Sequence, residues 1–255
     1  MLQPEESSKR GGSVRKDFLF TAIAIVSSTA IAAGSGPPLE VADRLENAIS
    51  FDESNDFMGT YRIAISSVVQ KPNGKSREES LIEADVIHRG DGSTRRNLLT
   101  YIEDGADVTE KKRTKFESEE EGREKDGDDT DLADPFGDAA DRYRFSAVNS
   151  RDSTEVIRFE PARGHEEDED IARGAIAWDA KSLVPRWLEM EAVHPPKPLK
   201  ELRFRMEFVE IDDDLYVSQL VTDGLAKILL LKREFHVEIR FDDIHPAAKH
   251  AESAD

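Results

Sequence analysis

Apolar and polar residues alternate with a period of two through much of the chain beyond residue 58. The alternation is strictest at 202–208 and 235–241, where large apolar residues are separated by arginine, glutamate or histidine. This period is typical of a β-strand with one buried face and one face in water. We therefore predict a mainly β, antiparallel chain whose strands each have one apolar face.

Turn-forming residues separate these runs. Glycine, asparagine and aspartate predict turns at 71–74, 90–92, 104–105, 179–182, 212–214 and 223–224. We predict about eleven strands in all: one from residue 58 to the first turn, then 81–89, 96–103, 143–148, 154–160, 174–179, 186–193, 202–209, 216–221, 228–231 and 235–241. Strands at this close spacing are typical of a sandwich or a barrel.

One segment ahead of the strands has a helical period. After Pro38, the residues Leu39, Ala42, Leu45 and Ile49 fall on one face of a helix, with charged residues between them. We predict a short amphipathic helix over 39–49.

The N-terminus has the three parts of a secretory signal. Four basic residues between positions 9 and 16 precede an uncharged apolar run at 18–32, which ends in Ala30-Ile31-Ala32. The run is short for a membrane span, which needs about 20 apolar residues. We predict export to the periplasm with cleavage after Ala32, leaving one domain at 33–255; an uncleaved anchor is the alternative. Arg15-Lys16-Asp17-Phe18-Leu19 is one substitution from a twin-arginine signal, but the general secretory route is favoured.

Charge and cysteine content restrict the partners. The formal net charge is -19, which argues against nucleic acid and anionic lipid surfaces as ligands. The chain has no cysteine, so burial alone must hold the exported domain together, and the chain cannot itself be a lipoprotein. We predict no nucleic-acid partner and no membrane span after signal cleavage.

Two segments are densely acidic. Residues 110–134 have few apolar positions and are predicted to form a charged insertion, either a solvated loop or a frayed helix, open to disorder. Residues 126–131 resemble the start of a calcium loop, but Gly137 stands where a bidentate glutamate is needed, so a solvated loop is favoured. A second acidic loop is predicted at 165–170.

Motifs for catalysis are missing from the sequence. It contains no nucleophile elbow, no phosphate-binding loop and no zinc-protease motif, and none of its six histidines has helical zinc spacing. We predict a protein that is not an enzyme and holds no cofactor and no metal. The alternative is an exported hydrolase on a β scaffold.

The two tryptophans, Trp178 and Trp187, flank a predicted turn on adjacent strands. Core packing is the simpler interpretation of both. The alternative is that they line a ligand cavity, since such cavities have aromatic walls.

The order of these features resembles the LolA-like outer-membrane lipoprotein-sorting family and the related N-terminal domain of RseB/MucB regulators. The resemblance covers roughly residues 38–244 and is carried, after the signal and the helix, by Tyr61-Arg62-Ile63, Asp104–Thr109, Asp134-Pro135-Phe136, Tyr143-Arg144-Phe145, Gly174–Asp179 and Val184-Pro185-Arg186. It implies a strongly curved, unclosed β-barrel, or half-barrel, with helices on its concave face. It also implies a cavity that holds acyl chains or another hydrophobic ligand.

On that interpretation the cavity is lined by the apolar positions of two strands and by the tryptophans. The candidate ligand-cavity residues are Leu202, Phe204, Met206, Phe208, Phe235, Val237, Ile239, Phe241, Trp178 and Trp187. The same residues would be ordinary core in any other β-sandwich.

Two functions are compatible with the sequence. The first is an exported carrier or chaperone for lipid or an acylated protein, in outer-membrane lipoprotein sorting. The second is an envelope-sensing interaction module that binds a basic protein partner through its acidic loops.

Overall fold

A computed structural model of the chain describes residues 36–51, 57–74, 76–89, 93–118, 132–151, 153–228 and 231–247. The predicted signal at 1–32 and the calcium-like loop at 126–131 lie outside the described residues.

Eleven strands form one antiparallel sheet. The strands are β1 (Gly59–Gln70), β2 (Glu78–His88), β3 (Thr94–Glu103), β4 (Ala106–Asp107), β5 (Tyr143–Arg151), β6 (Thr154–Pro161), β7 (Ala172–Asp179), β8 (Pro185–Ala192), β9 (Leu199–Ile211), β10 (Asp214–Ile228) and β11 (Leu231–Pro246). Their order is β4-β3-β2-β1-β11-β10-β9-β8-β7-β6-β5. The end strands β4 and β5 do not pair with each other, so the sheet is not closed. The predicted mainly β, antiparallel, unclosed architecture is confirmed, and a two-sheet sandwich is not formed.

The sheet is built from hairpins around one long-range pairing. Every neighbouring pair is adjacent in sequence except β1 and β11, which pair from Gly59↔Pro246 to Gln70↔Glu234. The first and last strands therefore lie side by side in the middle of the sheet, and the remaining hairpins extend outward from them on both sides.

Two predictions in the last third of the sheet are wrong. Asp223 and Gly224 do not form a turn but lie inside β10, and the predicted strand at 228–231 is divided between the end of β10 at Ile228 and the start of β11 at Leu231. Gly224 is needed for a close contact rather than for a turn. A Cβ there would lie 2.2 Å from Cζ of Phe235, the residue opposite it on β11.

The first helix, α1 (Leu39–Glu46), is shorter than predicted. It buries Val41, Ala42 and Leu45 on one side, as an amphipathic helix should. It ends early because Ile49 pairs with β10 instead: the Ile49 N–H donates to the Leu215 carbonyl over 2.8 Å.

A second helix, α2 (Thr109–Ser118), forms the described first part of the charged segment at 110–134. Its polar side chains bind backbone groups of β3. Thr109 Oγ1 accepts from the Tyr101 N–H at 2.8 Å, Arg113 donates to the Leu98 carbonyl at 2.7 Å, and Glu117 accepts from the Leu98 N–H at 3.3 Å. The helix needs no apolar stripe because it covers a strand edge rather than a core.

Candidate functional site

The two apolar strand patterns found in the sequence lie on one face of the sheet, on either side of β10. Residue pairing across β10 aligns them in three rows: Met206, Leu220 and Ile239; Phe204, Thr222 and Val237; and Leu202, Gly224 and Phe235. Phe208 and Phe241 are also buried and belong to the same core cluster. These eight residues and Trp178, nine of the ten predicted cavity residues, therefore belong to one cluster, which we call the apolar face.

One half of the apolar face, over β5–β10, is closed by other elements. Helix α1 and residues 132–139 contribute apolar side chains to the same core cluster, among them Leu45 and Phe136. Phe136 packs edge-on against Phe159, with ring centroids 5.5 Å apart. A ligand could enter this half only by displacing these elements.

An aromatic cluster closes the boundary between the two halves. Phe51 packs against Tyr61 and Phe241, with ring centroids 4.4 Å and 4.6 Å away, and against Phe57 at 4.9 Å. All four rings are buried.

A buried tyrosine attaches the covering segment 132–139 to the sheet. The Tyr143 hydroxyl donates to the Ala133 carbonyl at 2.9 Å and accepts from the Ala172 N–H at 3.3 Å. Burial raises the pKa of Tyr143 to about 12, so the hydroxyl keeps its proton.

Within the other half of the apolar face, over β1, β2 and β11, some residues are buried, such as Ile65 and Ile239, and others are only half-buried. Ile63, Ile82, Phe235 and Val237 pack against the core cluster without being buried by it. Ile63 and Ile82 were not among the predicted site residues, although the alternation in β1 and β2 places them on this face. We call these four residues the open apolar half.

Hydroxyl groups within the open apolar half are bonded to one another. Ser67 and Ser80 are opposite each other on β1 and β2, and their Oγ atoms are 2.7 Å apart. Their hydrogen bond lowers the cost of covering them with an apolar ligand, since neither hydroxyl would be left without a partner.

The two tryptophans lie on opposite faces. Trp178 is only 2% exposed and belongs to the core cluster, and its indole N–H has no acceptor among the described residues. Trp187 pairs with Glu207 on the polar face, where the Arg205 guanidinium lies 5.0 Å from its ring centroid. Alternation within each strand accounts for this, because Trp178 is two residues beyond the buried Ile176, whereas Trp187 is two residues before Glu189, which pairs with Arg205 on the polar face.

The opposite face of the sheet is charged. His236 lies there with Nδ1 2.8 Å from the Asp223 carboxylate. Arginine and glutamate side chains form cross-strand pairs on this face, including Arg173–Glu191 and Arg144–Glu160.

The acidic loop at 165–170 is held by one arginine. Arg142 donates to the carboxylates of Asp168 and Asp170 at 2.8 Å and 2.5 Å. The pKa of Asp170 is lowered from 3.8 mainly by its hydrogen bond from Arg142. The pKa of Asp168 is lowered first by its hydrogen bond with His165 and then by Arg142.

Replacing Arg142 by glutamine is expected to weaken the fold at neutral pH and to matter less in acid. A carboxyl whose pKa is lower in the folded chain stabilises it above the ordinary aspartate pKa, and that contribution is lost as pH falls through the lowered value. Urea midpoints of the two chains should therefore converge as pH falls below about 4, the ordinary pKa of aspartate. Arg144→Gln, in an exposed pair with Glu160, is the control and should change the midpoint little. A difference in urea midpoint between Arg142→Gln and the unmodified chain that does not change with pH would contradict this account.

The described part of the chain has neither a metal-binding group nor a membrane-spanning helix. It contains no group of three or more histidine, aspartate or glutamate residues placed to hold a metal ion. No helix within the described ranges is long and apolar enough to cross a membrane.

No protein-family model matches the chain, and no curated protein matches it. Among solved structures, it is similar to a domain from Vibrio parahaemolyticus described as an outer membrane lipoprotein-sorting protein, with 12% identity, 84% of this chain and 93% of that chain covered, and a TM-score of 0.33. A DUF1329 family protein from Desulfovibrio piger matches at 11% identity, 82% and 91% coverage, and a TM-score of 0.35. A chain of the Pseudomonas aeruginosa MucA/MucB complex matches at 12% identity, 82% and 100% coverage, and a TM-score of 0.23.

The lipoprotein-sorting and MucB groups that the sequence resembles are thus both among these structures, and the resemblance is confirmed. None of the three is described as an enzyme. At these identities and TM-scores the matches do not indicate what this chain binds.

Proposed function

We propose that this chain is an exported carrier that holds a lipid or an acylated protein on the open apolar half of its sheet, with a role in outer-membrane lipoprotein sorting. The observation that supports the proposal is the continuity of apolar surface from the closed core onto β1, β2 and β11, where Ile63, Ile82, Phe235 and Val237 are left half-buried. Export to the periplasm, cleavage after Ala32 and a single domain at 33–255 belong to the same proposal.

Burial alone is sufficient to hold such a cargo. An acyl chain gains about 0.8 kcal/mol for each CH₂ removed from water, so a site needs apolar area and no reactive group. These features fit a site that accepts a class of acyl chains rather than one compound.

Placing a charge in the open apolar half should abolish cargo binding. Val237→Glu puts a carboxylate where the acyl chain would lie, and we expect affinity for a fluorescent fatty-acyl probe to fall by about tenfold or more. Val221→Glu is the matched control, because Val221 is also half-buried, lies on the neighbouring strand β10 and faces the polar side opposite Arg205 and Glu238. Circular dichroism and urea midpoints check that both variants fold. Equal loss of binding in both variants, or no loss in either, would count against the open apolar half as the site.

The first measurement is native mass spectrometry of the chain recovered from a bacterial periplasm, followed by lipid extraction. A lipid or acyl species bound near one-to-one supports the carrier function and identifies the cargo class. An apo mass that does not change after incubation with a triacylated lipopeptide would overturn it. The intact mass also tests export, since removal of residues 1–32 places the N-terminus at residue 33.

The alternative function is an interaction module for a basic protein partner. The β9–β10 turn favours it, because Asp212 and Asp213 are both exposed there and stand beside the exposed Glu210. Binding of a basic periplasmic domain that weakens steeply with salt, together with an apo mass, would support this alternative over the carrier.

A further inference from the structure

The two edges of the sheet differ in how they are covered. Helix α2 occupies backbone groups of Leu98 and Tyr101 at the β3 edge, whereas β5 at the other end pairs with β6 alone among the described residues. Ser146, Ala147 and Val148 of β5 are all exposed. An uncovered edge strand of this length is a ready site for another strand.

Backbone groups of β5 point outward at alternate residues. The Ala162 N–H donates to the Arg142 carbonyl over 2.8 Å, and antiparallel pairs bond at every second residue. The backbone N–H and C=O groups of Arg144 and Ser146 therefore point toward β6, whereas those of Phe145 and Ala147 point away from it. These outward groups would pair with an incoming strand.

A ladder of alternating charge on the polar face ends at this edge with a cation. Neighbouring members of the ladder are cross-strand pairs or interact electrostatically across adjacent strands, and Arg144 on β5 is 71% exposed. From β10 to β5 its members are Asp223, Arg203, Glu191, Arg173, Glu160 and Arg144. A strand added beyond β5 would continue this alternation with an acidic residue opposite Arg144.

The adjacent row has a second cation, Arg158, with no ion-pair partner among the described residues. Arg158 on β6 is exposed between two small residues, Ser146 on β5 and Ala175 on β7, and forms no ion pair within the described ranges. It lines a groove of about 620 Å³ on the polar face, shared with Arg173, Arg203 and Arg205. Those three arginines each contact a glutamate, so Arg158 is the groove arginine left to bind an anion.

We propose that the β5 edge binds an extended strand of a partner protein that carries acidic residues at two alternate positions. One carboxylate lies opposite Arg144, and the other lies opposite Ser146, whose small side chain lets it reach Arg158. A second copy of this chain does not fit, because β5 contains no aspartate or glutamate and each chain has a net charge of -19. This site is on the opposite face from the cargo site and does not depend on it.

A nine-residue peptide, VTVEVEVTV with blocked ends, is the probe, and VTVKVKVTV is its control. Each is titrated into the ¹⁵N-labelled full chain while the amides of Phe145 and Ala147 are followed by NMR. With the glutamate peptide we expect both amides to shift and to exchange more slowly with solvent. The lysine peptide should bind about threefold to tenfold more weakly, the difference expected from two cross-strand ion pairs.

Two variants test the charge and the backbone separately. Arg158→Glu should abolish the preference between the two peptides, because each then has one attractive pair and one repulsive pair at Arg144 and residue 158. Arg240→Glu, on the polar face of central β11, should leave the preference for the glutamate peptide unchanged. Ala147→Pro removes an outward N–H without removing a bond to β6, and should abolish binding of both peptides. Because Arg158 is exposed and its replacement leaves the sheet intact, the charge test stands even if Ala147→Pro fails to fold.

Three results would overturn the proposal. The first is equal affinity for the two peptides, and the second is an unchanged preference in Arg158→Glu. The third is protection of the Phe145 and Ala147 amides that grows with protein concentration without peptide, which would show that β5 pairs with a second copy.

Discussion

Replacing Gly174 by alanine is expected to cost about 3 kcal/mol of unfolding free energy, at the upper end for an overpacked core site. A Cβ at this position would lie 1.9 Å from the backbone oxygen of Glu189 on β8 and 2.6 Å from Cζ of Phe159 on β6. A backbone oxygen cannot rotate away as a side chain can, so β7 and β8 would have to separate. Urea denaturation of the full chain measures the loss.

Two other glycines are controls for this result. Gly164, with φ +98°, has no atom within 4 Å of the added Cβ, so Gly164→Ala should cost only the strain of that backbone conformation, about 1 kcal/mol. Gly224→Ala should fall between the two, because its closest contact is the Phe235 ring, which can move. Equal losses at Gly164 and Gly174 would show that the close approach of β7 and β8 is not what requires glycine.

Replacing Trp178 by alanine is expected to destabilise the chain by about 3 to 5 kcal/mol, the usual cost of truncating a buried tryptophan. The side chain is 2% exposed and packs within the core cluster. Trp187→Ala should cost about 1 kcal/mol or less, since Trp187 is half-exposed and its principal partner is the cation of Arg205. Similar losses at the two positions would contradict their assignment to opposite faces.

A third tryptophan variant separates packing from hydrogen bonding. Trp178→Phe keeps most of the ring but removes an indole N–H that has no acceptor among the described residues. Because no hydrogen bond is broken, its cost should be well below that of Trp178→Ala. A loss as large as that of the alanine variant would show that the N–H is bonded in solution, and heteronuclear NMR of the indole proton would detect the partner.

Local periodicity was sufficient to predict most strands and the face each one buries. In β9 and β11 the apolar residues at every second position are all on one side of the sheet, because successive side chains in a strand point to opposite faces. The same rule predicted that His236 lies on the polar face. It also separates the two tryptophans, because Trp178 has the parity of the buried Ile176 in β7 and Trp187 has the parity of Glu189 in β8.

The structural roles of Gly224 and of the α2 residues could not be predicted, because both depend on contacts with residues far away in the chain. Gly224 is typical of a turn, but it lies within a strand because the Phe235 ring covers it from β11. The residues of α2 are charged enough to predict a loop or a frayed helix, yet they bind the backbone of β3. Neither partner is visible from the local sequence.

The sequence by itself determined the strand pattern, the single apolar face and the acidic character, since these follow from residue type and spacing alone. Tertiary structure decided that the β1–β11 pairing aligns the apolar rows, that α1 and residues 132–139 cover one half of the apolar face, and that Ile63 and Ile82 belong to the half left open. It also decided that one edge of the sheet is covered while β5 is exposed. The physical reason is that burial and edge pairing depend on contacts between residues far apart in the chain, which periodicity does not record.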